Sequence, residues 1–508
     1  MRKHDKTGFW KKSAVFVWLM AVSLQVSGEK PLFAREQVLL TLDSAVNIAM
    51  GRSYRIKQLE LGIERTRFWL KSRQASLKSR IFMELKAPDI EAVSETKWNS
   101  TLKKDEIIHS NTRLWQMDLS VKQPVLVFGY PTNGYLSLNN QIYRYSQEDG
   151  GQEVDYYNRF FLKFEQPFLL PNNLKNDIED AELDLQKSEL EYIADRVSLI
   201  DRVSDDYYDL FEVSYKKTIF DLQIENLRKI AEIAQVKAGQ DTARVIETVQ
   251  VQVELANARE SLLRNQSEIR REIAAIKQRL QLSHEDSVFI EPVVKVVPIK
   301  IDVNQAIQYG NSLHPRLRIL EIDKRKGEID VNNSTGWDAF HLNLEMTYGM
   351  EKQKDQFREI WDDYDGSYSV SINAYVPIWD WGRRKARIEA EKISLKKTEL
   401  YIEETQNRIR SDIVNAVDNL RDYQQRALNM QSNIGRVQDI TDFGMNQYRD
   451  NLISLQDLLQ MVARQKETEL NFLDAYLGYR RSLLSLMIQT YYDYENGESL
   501  IDKFRVES

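Results

Sequence analysis

The 508-residue sequence predicts an α+β protein that is mostly α, in which strands of a shared transmembrane β-barrel continue into very long helices, built from an internal duplication. Three observations predict it. A strict two-residue alternation runs through several short segments, a proline corner joins one of them to an unbroken helical pattern, and the same order of segments occurs twice.

The alternation is clearest along 367–376. Tyr368, Val370, Ile372, Ala374 and Val376 share one parity while Ser367, Ser369, Ser371 and Asn373 share the other, as in a strand between lipid and water. Pro377-Ile378-Trp379-Asp380-Trp381-Gly382 breaks that strand and places Trp379 and Trp381 where a membrane interface favours them, although packing at the corner is an alternative role. Beyond Arg383 no proline occurs before Gly444, and Ile388, Leu395, Ile402, Ile409, Ile413, Val417 and Leu420 recur at helical spacing. At about 1.5 Å per residue this is a helix of roughly 90–100 Å.

The N-terminus reads as a secretory signal over 1–34. Arg2, Lys3, Lys6, Lys11 and Lys12 precede the apolar run Ala14–Val22, and Ser27-Gly28 or Ala34 offers small residues for cleavage. The run is short for a bilayer span, so an uncleaved anchor is the lesser alternative. No later stretch is apolar enough to cross as a helix, so entry into a membrane must be by strands, which points to a bacterial outer membrane. The absence of cysteine removes disulfides, thiolate chemistry and lipid anchoring through sulfur. Five scattered histidines argue against a zinc site, and a net charge of −7 gives no sign of a nucleic-acid partner.

The duplication emerges on aligning the halves. Leu42–Glu60 matches Val303–Glu321, with Ala45 opposite Ala306, 261 residues on. Pro167 matches Pro377 at an offset of 210, and Gly239 falls opposite Asn451 at 212. The expected division is a first repeat over 35–297, a second over 298–490, and a C-terminal tail over 491–508. The fall from 261 to 210 leaves 51 extra residues in the first repeat, within 87–155. They hold two further alternating runs, Leu114–Lys122 and Tyr135–Arg144, separated by Phe128–Gly134. This added strand pair lies either in the barrel or over it.

Other strands alternate at Phe340–Tyr348, Phe160–Phe164 and Ile81–Leu85. Such alternation also suits a sheet packed on a soluble core, but the helices leave no compact partner for one. Four to six strands cannot close a pore alone and open edges are not tolerated in lipid, so the barrel must be shared between subunits. Asn172–Ala238 mirrors the long helix, and Val245–Leu282 and Leu452–Gln489 return from the two hairpins.

Taken together, the paired Leu-x-x-Ala-Val/Ile entry helices, the corners at Pro167 and Pro377, and the segment Tyr448–Gln460 resemble the TolC-like outer-membrane factors of tripartite efflux pumps and type I secretion. The resemblance covers roughly 38–490. It implies a homotrimer with a 12-stranded barrel, four strands per subunit, standing on a periplasmic α-helical barrel. It further implies a passive gated conduit without cofactors, partnered by a periplasmic adaptor, an inner-membrane pump of RND, ABC or MFS type, and outer-membrane lipid. Asp457 matches a constricting aspartate of that family's periplasmic gate, and Gln460 replaces a second one. Tyr448 matches a closing-network tyrosine whose arginine partner falls on Ile453. Asn451 and Gly239 occupy the hairpin turns, with Arg244 and Glu247 as replacement gate contacts. The bland roles for these residues are solvated charges and helix packing. Pro167, Pro377 and Gly382 mark the strand-to-helix corners.

No nucleophile elbow, phosphate-cradling glycine loop or His/carboxylate cluster supports an enzyme. The rival class is an exported trimeric coiled-coil scaffold or adhesin without channel activity. Such a scaffold has no need of lipid-facing strands.

Overall fold

The structure is a computed structural model that describes residues 37–148 and 152–505. The expected signal segment, 1–34, lies outside the described residues. The first half runs β1 (Gln37–Leu39), α1 (Leu42–Arg52), α2 (Tyr54–Ala75), β2 (Arg80–Asn99), β3 (Lys104–Val127), β4 (Tyr130–Glu148), β5 (Gln152–Phe168), α3 (Asn173–Gln240) and α4 (Val245–Leu280). The second runs β6 (Ser287–Phe289), α5 (Val303–Leu313), α6 (Pro315–Gly336), β7 (His341–Lys354), β8 (Asp365–Tyr375), α7 (Arg383–Arg449) and α8 (Leu455–Thr490), and ends in β9 (Tyr492–Asp493), β10 (Glu498–Ser499) and α9 (Leu500–Lys503).

Helix lengths repeat between the halves. α1 and α5 have 11 residues each, α2 and α6 have 22, α3 and α7 have 68 and 67, and α4 and α8 have 36. Local chemistry sets the starts. Thr41 and Ser44 form a capping box ahead of α1, Asp302 caps α5, and Pro315 takes the first turn of α6, where its missing N–H costs nothing. The first two helices of each half are broken apart at Ser53 and His314, both extended in ψ and both accepting from the next helix. α7 runs five residues past Gly444, which the helix tolerates because Met461 and Leu458 of α8 press where a side chain would stand.

Six strands form one antiparallel sheet in the order β2-β3-β4-β5-β7-β8. The added pair therefore belongs to the same sheet as the other strands. Its strands are longer than the alternation foretold. Phe128 and Gly129, at φ 51 and 85, make a two-residue reversal that pairs Val127 with Tyr130, in place of the longer separation read over 128–134. Pro124 sits at a register shift and Pro131 next to the turn, where the missing donors are tolerated.

Register gives the sheet two unlike faces. Ile81, Met83 and Leu85 stand opposite Val121, Leu119 and Met117; Val121 stands opposite Leu138; Leu138 opposite Leu162; Leu162 opposite Tyr348; Tyr348 opposite Tyr368. One apolar band thus crosses all six strands. The other face carries Glu84, Asp118, Ser120, Asn139, Lys163, Glu165, Glu345 and Ser371, with Lys163 bridging Glu165 at 2.5 Å and Glu345 at 3.1 Å. Above Asn111 the β2–β3 ladder continues to Asn99 and Lys104 without β4, as a two-stranded arm.

The helices make a layer one helix thick. Beside the sheet the order is α2-α3-α6-α7; beyond it α4 and α8 replace α2 and α6, giving α4-α3-α8-α7. Ion pairs stitch the upper row, Arg73 to Asp177 and Lys326 to Asp184 among them. At mid-length a belt of short elements wraps the layer: β1 pairs parallel with β6, and Tyr491, Leu500 and Phe504 of the C-terminal segment pack on the buried cluster around Leu40, Ala45, Val197 and Val203. No helix among the described residues is long and apolar enough to cross a membrane.

Candidate functional site at the hairpin ends

The two long hairpins end side by side. α3 stops at Gln240 because Asp241 turns extended, at φ −141, and its carboxylate accepts from the Ala243 N–H at 3.0 Å; the 3-10 turn Thr242–Arg244 then leads straight into α4. Gly239, expected in this turn, stands instead in the last turn of α3, with open space beside it. On the other hairpin Asn451 is left-handed at φ 63, a conformation asparagine tolerates. Ser454 then starts α8 three residues later than the periodicity suggests, through a capping box with Asp457.

Between the ends lies a buried cluster of Ile230, Ala234, Val251, Met445, Tyr448, Leu455, Leu458 and Val462. Three polar ties cross it. The Tyr448 phenol, 1% exposed as a residue, donates to Glu247 Oε2 at 2.6 Å and so links α7 to the first turn of α4. Lys237 of α3 is buried, lies over the Tyr448 ring with Nζ 3.7 Å from the centroid, and donates to the Tyr448 carbonyl oxygen. Arg244 Nη1 donates to Asn451 Oδ1 at 2.7 Å, turn to turn.

These contacts perturb the groups that make them. Burial, and then the bond to Glu247, push the Tyr448 phenol above its ordinary range. Burial, and then the Arg244 charge, draw the Lys237 ammonium below its own. Of the residues expected at the gate, Tyr448, Glu247 and Arg244 are thus brought together, with Asn451 of the hairpin turn. Asp457 and Gln460 stand outside this set, exposed on the first turns of α8, and the Asp457 carboxylate accepts from the Ser454 hydroxyl at 2.6 Å. Lys237 and Asp241 were not read from the sequence, because a lysine or aspartate on a long polar helix carries no periodic signal.

At the sheet end, Asp380 shapes the second corner by accepting from the Gly382 and Arg384 N–H groups, both at 2.8 Å. Trp381 and Gly382 are left-handed, at φ 57 and 80. Trp379 and Trp381 meet edge to face at 5.5 Å and are 74% and 89% exposed. In the first corner Pro167 still belongs to the sheet, opposite Asn343, and the chain departs at the left-handed Leu169. At the opposite end of the apolar band the loop after β7 folds over β5: Ile360 is buried, Asn158 donates to its carbonyl, and Phe357, Trp361 and Tyr364 meet the rings of one another or of Tyr156 and Phe160. No group of residues with metal-ligand composition occurs among the described residues.

Residues 320–488, from the middle of α6 through α8, match the family model of outer membrane efflux proteins. That segment is similar to an outer membrane efflux protein domain. Solved structures extend the likeness to about nine-tenths of the chain. CusC, described by its transmembrane channel formation, superposes with a TM-score of 0.64 at 13% identity, covering 89% of this chain and 92% of its own. The CmeC outer membrane channel of Campylobacter jejuni gives 0.62 at 14% identity over 91% and 88%. The outer membrane protein VceC of Vibrio cholerae gives 0.63 at 12% over 88% and 95%. At such identities the likeness is one of fold: mostly helical, with a sheet at one end. No curated protein matches the sequence.

Proposed function

We propose that this chain is one subunit of a trimeric outer-membrane channel, a passive gated conduit from periplasm to exterior that serves a tripartite efflux or type I secretion system. The observation that carries the reading is the sheet with one apolar and one polar face, whose strands run directly into helices of 68 and 67 residues. A sheet of that kind is stable with lipid on one side and water on the other. Helices about 100 Å long then carry the same wall away from the membrane, toward the periplasm. An adaptor and an inner-membrane pump of RND, ABC or MFS type act on the hairpin ends and supply the energy, since the chain holds no catalytic centre in this reading.

The gate is the set of ties at those ends. Tyr448–Glu247 and Arg244–Asn451 hold the two hairpins of one chain together, and separating the hairpins breaks both. Asp457, exposed beside them, supplies one carboxylate per subunit to the aperture, where three such charges attract cations and disfavour anions. Fractionation tests the placement. The full-length protein should sediment with outer membranes, resist extraction by high salt and run in detergent at three times its chain mass. A monomer released by salt would instead support an exported scaffold.

A further inference from the structure

We infer that this chain contributes six strands to a barrel wall of eighteen, with β2 of one copy pairing antiparallel with β8 of the next. The inference rests on the trimeric reading above and adds what the wall is made of.

Four observations lead there. First, one apolar band, from Ile81 through Val121, Leu138, Leu162 and Tyr348 to Tyr368, crosses all six strands, so no strand looks like a cap on the others. Second, the sheet has two open edges, β2 and β8, whose unpaired backbone groups are intolerable in lipid. Third, the edges match. β2 leaves α2 and β8 enters α7, so they run in opposite directions. β8 offers eleven residues, with Tyr368, Val370 and Ile372 against Ser369, Ser371 and Asn373; β2 offers seven before its register shift, with Ile81, Met83 and Leu85 against Arg80, Phe82, Glu84 and Lys86, so Phe82 alone departs from the polar parity. Joining them continues both faces. Because six is even, every contact around such a ring is antiparallel.

The fourth is width. The helix layer is four helices wide beside the sheet. At about 8–10 Å between axes it occupies roughly 32–40 Å of circumference per chain. Six strands about 4.8 Å apart and tilted by about 35–45° occupy roughly 35–41 Å. Six strands and four helices therefore meet at equal circumference. A wall of about eighteen strands lies in the size range that leaves an open aqueous lumen. The narrow point of the conduit then falls at the hairpin ends and not in the membrane.

The chain has no cysteine, so cross-linking reads this wall directly. Glu84→Cys paired in one chain with Ser369→Cys, Ser371→Cys or Asn373→Cys samples the possible registers of a β2–β8 contact. Asn139→Cys with the same three samples β4–β8, the contact expected if β2 and β3 stood outside the wall. Within one chain β4 and β8 are separated by β5 and β7, so a β4–β8 bond has to form between copies. The inference expects at least one β2–β8 pair to convert the monomer band to covalent dimer and trimer on oxidation, with no shift in the β4–β8 series. Cross-linking of β4 to β8, or of neither pair within a trimer, overturns it. A monomer by mass before oxidation would instead overturn the reading on which it rests.

Discussion

The Tyr448 phenol donates a 2.6 Å hydrogen bond to Glu247, 201 residues away in sequence, and so fastens the last turn of α7 to the first turn of α4. Removing the hydroxyl alone isolates that tie. A bond to a charged acceptor is worth about 1.5–3 kcal/mol. Tyr448→Phe should therefore give longer or more frequent openings in planar bilayers at unchanged oligomer mass. Openings indistinguishable from the parent would remove Tyr448 from the gate and leave it a packing residue of the buried cluster.

Asp457 has two roles that one pair of substitutions separates. Asp457→Asn keeps an oxygen for the Ser454 cap and removes the charge, so cation selectivity should fall while thermal stability holds. Asp457→Ala removes both, and should add a loss of about 1 kcal/mol in stability. Equal selectivity in the parent and both variants would place this carboxylate away from the permeation path.

Glycine substitutions test the helix packing. A Cβ at Gly478 of α8 would stand 2.3 Å from the Tyr423 ring of α7, whereas one at Gly435 would meet nothing. Gly478→Ala should lower stability by about 1–3 kcal/mol through overpacking. Gly435→Ala should raise it by up to about 1 kcal/mol through helix propensity. Thermal denaturation of the two variants beside the parent reads both signs.

His314 predicts a pH dependence. Burial, reinforced by the Arg408 and then the Arg316 charges, draws its imidazole down from 6.5 to about 4. The folded chain therefore binds fewer protons than the unfolded one as pH falls through that interval, and stability is lost between about pH 6.5 and pH 4. At about 1.36 kcal/mol per unit the loss approaches about 3 kcal/mol. His314→Asn, which keeps a cap for α6, should flatten the curve of Tm against pH in that window. An unchanged slope would mean that other groups set it.

How much of this was legible in sequence follows from periodicity. The strand at 365–375 and the helices from 173 and 383 were readable because two-residue and 3.6-residue patterns persist over many turns. β2 was read only over Ile81–Leu85, since its register slips between Lys86 and Asp89 and the alternation does not carry across the slip. The Phe128–Gly129 reversal was hidden by the neighbouring prolines, which imitate a longer loop. The partners at the hairpin ends are fixed by side-by-side hairpins, so Glu247 and Arg244 were visible as candidates while their pairing with Tyr448 and Asn451 was not. Lys237 is polar by type and buried only by its neighbours.

The most direct test of the conduit is single-channel recording of the purified full-length protein in planar bilayers. The account predicts small, cation-selective currents that grow in Tyr448→Phe. Preparations of confirmed trimers that insert and pass no current in either form would contradict it.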